Sequence, residues 1–172
     1  MLRSAVLASL VLVSAALGAA PKKTSLPPEM PASELTWRGP FGTPPKDVNT
    51  MFALIGQGFG KTPVAGETSA VVKKWLADHP KARVRPLVIQ GRVFGLEKDS
   101  RYIYSWLVDG TDNMSVTLAR QGCCKADALK AARKIDESQL AKADYEAYCK
   151  ALDEAEAAAK REKLGIWKPM EP

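Results

Sequence analysis

The sequence predicts a small α+β domain, and three observations carry the prediction. Apolar residues recur at helical spacing in two well-separated segments. Between them lie two runs rich in Val, Ile, Tyr and Trp that suit β-strands. The chain, 172 residues long, has room for one real core and too little for two.

Taken in order, residues 1–18 read as a secretory signal peptide. Arg3 supplies the positive n-region, Ala5 to Leu17 form the apolar h-region, and Ala16-Leu17-Gly18 gives the small-x-small cleavage pattern. This run is too short to span a hydrocarbon core, which needs about 20 residues. Export to periplasm or medium is expected, with no membrane attachment after cleavage. Residues 19–33 contain Pro21, Pro27, Pro28 and Pro31 and read as an extended tether, which places the domain at 34–168.

Leu35-Thr36-Trp37 and Asn49 to Ile55 suit short strands, separated by the Pro/Gly-rich stretch Gly39 to Pro45. Gly66 to Asp78 predicts a helix: Val71, Val72, Trp75 and Leu76 share one face while Lys73 and Lys74 point away. Trp75 therefore belongs to the core. His79-Pro80 ends the helix, because the residue before proline avoids the α region, and His79 reads as a solvated loop residue. Val84 to Phe94 and Tyr102 to Val108 predict strands, and Asp109-Gly110 a turn. Asp112 or Asn113 can cap a short helix from Met114 to Gln121 that Gly122 stops. A long helix follows over Gln139 to Leu164, with the stripe Tyr145, Tyr148, Leu152, Ala155, Ala159. Gly165-Ile166-Trp167 closes it.

The net charge is +6 over the whole chain, and eight basic residues against three acids fall between Lys73 and Arg101. A face of that sign suits phosphate or another anionic partner, and suits a solvated surface equally well. Of the three cysteines, Cys149 can bridge to Cys123 or Cys124, since neighbours in sequence rarely pair. A single histidine and no Cys-x-x-Cys spacing argue against structural zinc.

Three segments resemble the staphylococcal-nuclease-like (thermonuclease) family. They are Arg101 to Gly110 followed by Val116 to Gly122; Ala155 to Trp167; and Gly66-Glu67-Thr68-Ser69-Ala70 before Lys73-Lys74. The likeness covers about residues 66 to 168. It implies a small five-stranded OB-type β-barrel with three helices, and calcium-assisted hydrolysis of DNA and RNA phosphodiesters. Such chemistry uses carboxylates to hold calcium, a glutamate to activate water, and two arginines to hold the phosphate.

Arg101 matches one of those arginines. The family's central strand reads Arg-Leu-x-x-Ile-Asp-x-Pro-Glu. Its counterpart here is Met51 to Phe59, which puts Met51, Gly56 and Phe59 in the arginine, aspartate and glutamate places. A competing alignment sets Asp47-Val48-Asn49-Thr50 on the family's metal-binding Asp-Gly-Asp-Thr turn and keeps Asp47 as a metal ligand. Either way the glutamate is missing. Loss of one charge-stabilising group costs ~10²–10³ in rate, so loss of several leaves little catalysis.

The expectation is therefore a degenerate, monomeric member without a cofactor, binding single-stranded nucleic acid or an anionic or protein partner. Lys73, Lys74, Arg83, Arg85, Tyr102 and Tyr104 would form the contact surface. The alternative is an active calcium-dependent nuclease with Arg101 catalytic and Asp47, Asp99 or Glu67 supplying carboxylates. A third reading keeps the fold for stability alone, with a Cys124–Cys149 bridge.

Overall fold

A computed structural model describes residues 25–54, 65–90, 100–130 and 140–169, with backbone alone at 65–67 and 90. The signal region, Asp99 and the side chain of Glu67 lie outside the described residues, as does the central-strand counterpart beyond Leu54.

Among the described residues, seven strands and three α-helices give the α+β class. The elements run β1 (Met30–Pro31), β2 (Thr36–Arg38), β3 (Phe41–Thr43), β4 (Thr50–Leu54), α1 (Ala65–Asp78), β5 (Arg83–Gln90), β6 (Arg101–Asp109), β7 (Asp112–Asn113), α2 (Met114–Arg120) and α3 (Lys142–Arg161). The sheet order is β1-β5-β6-β4-β3-β2, with β7 paired to β6. Among the described residues, the pairings are antiparallel except β4 with β6, which run parallel with Thr50 opposite Arg101.

The two end strands, β1 and β2, are neighbours in sequence, joined through the 3-10 turn Ala32–Glu34. The sheet is therefore curled. Trp37 Nε1 donates to the Ala32 carbonyl at 2.9 Å and Ala32 N donates to Ala82 O at 2.8 Å, fastening that corner. The Pro-rich segment does not stay a tether up to residue 33. Met30 and Pro31 pair with β5, and Leu26 and Met30 rest against the core. Gly39 to Pro45 likewise holds a strand, β3, that its Pro/Gly content hides.

Inside the curl sit Phe52, Leu54, Val84, Leu87, Ile103 and Leu107, all buried. Helix α1 adds Val72 and Trp75, and α2 adds Met114 and Leu118. Asn113 caps α2 by accepting from Ser115 N at 2.9 Å. Of the expected α3 stripe, Tyr148, Leu152, Ala155 and Ala159 are buried and Tyr145 is half-buried. Trp106 projects from the outer face of β6 and is covered by Tyr148, with ring centroids 4.7 Å apart.

Candidate functional site

Two residues named from the sequence for different roles meet at one end of the sheet. The connection Pro44 to Asn49 between β3 and β4 brings Asp47 to the first residue of β6. Arg101 Nη2 donates to Asp47 Oδ2 at 3.2 Å. Thr50 Oγ1 donates to the same oxygen at 2.6 Å, and Asn49 N donates to Oδ1 at 3.2 Å. The last contact is an Asx turn, with the aspartate side chain bonding backbone two residues on. Parallel pairing explains the meeting: Arg101 N donates to Asn49 O at 2.7 Å, which locks the start of β6 to the end of the loop.

These donors hold the Asp47 carboxyl below the usual aspartate range, with the Thr50 hydroxyl the largest cause and the Arg101 charge a smaller one. Calcium takes six to eight oxygen ligands. In this arrangement the two oxygens of Asp47 accept from a hydroxyl, an amide and a guanidinium, and the side chain is 40% exposed. The described residues contain no cluster of three or more metal-ligating side chains.

Beside this pair, Tyr102 and Tyr104 project half-buried from one face of β6, opposite Met51 and Ala53 of β4. Tyr102 and Tyr104 meet edge to face at 5.5 Å, and Phe41 lies 6.3 Å from Tyr102. Burial pushes the Tyr102 hydroxyl up to about 12, so it stays protonated. A groove of about 470 Å³ adjoins them, lined by Arg38, Phe41, Pro44, Pro45, Val48 and Met51 among others. Val48 is 80% exposed at its rim.

Arg83 and Arg85 do not converge on Arg101. Arg85 sits opposite Trp106, five places along β6, about 17 Å away at ~3.4 Å per residue. Arg83 and Arg85 flank buried Val84 and so share the outer face with Trp106. Both are held by Glu29: Arg83 Nε donates to Oε1 at 2.6 Å and Arg85 Nε to Oε2 at 3.0 Å. Lys74 pairs with Asp78 at 2.7 Å, and Lys73 is exposed on the same helix. Much of the basic stretch is thus matched internally by carboxylates. Sequence reasoning missed Glu29 because it lay in the supposed tether. It also missed Thr50, for which the Asp-x-Asn-Thr turn pattern was the available signal.

His79 is not a solvated loop residue. Its ring stacks on Trp75 at 4.0 Å, Nδ1 lies 2.8 Å from Trp75 O, and Nε2 lies 3.3 Å from Asp112 Oδ2. Cys123 and Cys124 are buried thiols and Cys149 a half-buried one, so the Cys124–Cys149 bridge is not formed in this structure. Burial pushes Cys124 up to about 12, which makes it a poor nucleophile. Among the described residues, no helix is long and apolar enough to cross a membrane.

No protein-family model matches the chain, and no curated protein matches it. What the fold and site define is a class: an α+β domain with a curled mixed sheet and an arginine–aspartate pair beside half-buried aromatics.

Proposed function

We propose that this chain is an exported staphylococcal-nuclease-like domain that has lost efficient phosphodiester hydrolysis and binds single-stranded nucleic acid. Counting β1 and β2 as halves of one interrupted strand, and setting aside the two-residue hairpin partner β7, gives five strands around one core among the described residues. That count supports an OB-type barrel. The observation that carries the loss of catalysis is the segment Met51 to Phe59, which puts Met51, Gly56 and Phe59 in the arginine, aspartate and glutamate places. In the competing alignment Asp47 is kept as an acid, but the glutamate is still missing. The counterpart of the family's second arginine is Met51, opposite Tyr102 on β4. An arginine held by one carboxylate can bind a phosphate by exchange. Without a base or a second arginine it does little to stabilise a transition state.

Binding is supported by Arg101 at the sheet end and the half-buried Phe41, Tyr102 and Tyr104 beside it. Stacking on aromatics next to a cationic groove is how such barrels hold single strands. The test is hydrolysis and binding of single-stranded DNA and RNA by the purified protein, with calcium and with chelator, beside Arg101→Ala. No cleavage by either protein, with salt-sensitive binding that weakens in the variant, is expected. Calcium-dependent cleavage that the substitution abolishes would overturn the proposal in favour of an active nuclease.

A further inference from the structure

We infer that Arg83 and Arg85 form a second anion site on β5, one that the chain's own Glu29 fills and that a phosphate of single-stranded nucleic acid takes by exchange. This rests on the nucleic-acid reading above and extends it to the opposite end of the sheet.

The geometry is that of a carboxylate shared between two guanidinium groups. Glu29 gives Oε1 to Arg83 and Oε2 to Arg85, and its carbonyl accepts from Arg83 Nη2 at 3.2 Å. Two fixed positive charges face one negative charge, so the cluster keeps a net positive charge. Most of the N–H donors on the two arginines are not used by Glu29. A phosphate offers more acceptor oxygens and more charge than a carboxylate, and suits paired guanidinium groups better. The two arginines hold the Glu29 carboxyl below the usual glutamate range, with the Arg85 hydrogen bond the largest cause, so Glu29 is a charged competitor at neutral pH.

Glu29 is also a displaceable one. The side chains of Arg83, Arg85 and Glu29 are 48%, 47% and 33% exposed, and solvated pairs of this kind add little to stability. The segment that carries Glu29 is held by other contacts: β1 pairs with β5 through its backbone, Ala32 is buried, and Ala32 N bonds Ala82 O. Exchange at the carboxylate leaves those in place.

The surroundings fit a nucleotide better than a bare phosphate. Arg85 lines two grooves at once. One, of about 450 Å³, has Trp106, Val108, Val116 and Tyr148 in its wall. The other, of about 310 Å³, has Pro27, Pro28, Leu87 and Leu140. An anion held by Arg85 thus has an apolar wall beside it for a base. Asp144 lines both grooves, where it repels a second phosphate and accepts from an amino-bearing base edge.

The experiment measures binding of a labelled single-stranded oligonucleotide, and of inorganic polyphosphate of matched charge, over a salt series. The proteins are wild type, Glu29→Gln and the Arg83→Gln/Arg85→Gln double variant, each first checked for a cooperative unfolding transition. Glu29→Gln should bind the oligonucleotide about fivefold more tightly, since it removes a competing charge. The double variant should bind more weakly, with the salt slope reduced by about two. Adding Glu29→Gln to the double variant should then gain nothing. Oligonucleotide binding that is the same in wild type and Glu29→Gln would overturn the second site and leave the nucleic-acid reading standing. A gain for polyphosphate alone would overturn the assignment to nucleic acid. Absence of binding by every protein to both probes would overturn the underlying reading, and the site with it.

Discussion

Arg101 and Asp47 are 54 positions apart and meet at 3.2 Å because β4 and β6 run side by side in parallel, with Thr50 opposite Arg101. The pair is solvated, the side chains being 47% and 40% exposed, so it contributes about 0–1 kcal/mol to stability and is available for exchange. Its consequence is for binding. Arg101→Ala should weaken oligonucleotide binding and lower the salt slope by about one, because one phosphate contact is lost. Asp47→Asn should tighten binding and leave the slope nearly unchanged. Fluorescence anisotropy over a salt series reads both, and equal weakening by the two substitutions would show that the pair acts as a structural unit.

How much of this was legible beforehand depends on the range of the interaction concerned. Helices α1 and α3 announce themselves because their stripes are periodic within the segment. The same holds for β6, whose pattern of Tyr102 and Tyr104 against Ile103 and Ser105 needs no partner to be seen. Strand β3 does not, since Phe41-Gly42-Thr43 is three residues long between prolines and is a strand only by pairing with β2 and β4. The site was half legible. Arg101 stood out by its resemblance to a catalytic arginine, while Glu29 on Arg83 and Arg85 spans 54 and 56 positions and has no local pattern. Sequence charge counts basic residues one by one; the fold decides which of them already have a carboxylate.

Gly122 and Gly165 bring two backbone segments into direct contact. Ile166 N donates to Gly122 O at 2.9 Å, both glycines have positive φ, and a Cβ on Gly165 would lie 2.1 Å from the Gly122 oxygen. Gly110 has a similar φ of +58°, yet a Cβ there meets nothing within 4 Å. Gly110→Ala should therefore cost only the left-handed backbone penalty, about 1–2 kcal/mol. Gly165→Ala should cost clearly more, about 3 kcal/mol or above, because backbone must move as well. Urea unfolding of the two variants separates the terms, and equal costs would mean that the Gly-Ile-Trp turn can shift freely.

His79 gives the fold a pH dependence of defined sign. Its pKa is raised, first by its bond to the Trp75 carbonyl and then by Asp112 and Asp109, against a lowering by burial. The nearby carboxylates face it from the start of β7 and the end of β6, while Asp78 on α1 is paired with Lys74. A raised pKa means that the folded state binds the proton more tightly than the unfolded chain. The stabilisation is complete below the unfolded value of about 6.5 and disappears as pH rises through the folded value. The urea midpoint should fall across that interval in the wild type. His79→Gln should flatten the change, and Asp112→Asn should shift it to lower pH. A profile with the opposite slope would remove His79 from the account.

The turn at Ala126–Leu129 is tied to α3 through tyrosine hydroxyls, and this gives a stability prediction with an internal control. Tyr148 Oη donates to Leu129 O at 3.0 Å in a buried setting, and Tyr145 Oη donates to Lys130 O at 2.6 Å where it is half-buried. Tyr148→Phe removes the donor and strands a carbonyl where water is scarce, so the cost should be about 1–3 kcal/mol. Tyr145→Phe leaves a carbonyl that water can reach, and the cost should be about 0.5–1 kcal/mol although its bond is the shorter. Burial, rather than bond length, sets the order, because the penalty is that of the acceptor left behind. Urea unfolding of the two single variants checks the order. A larger loss for Tyr145→Phe would mean that solvent already reaches the Leu129 carbonyl beneath α3.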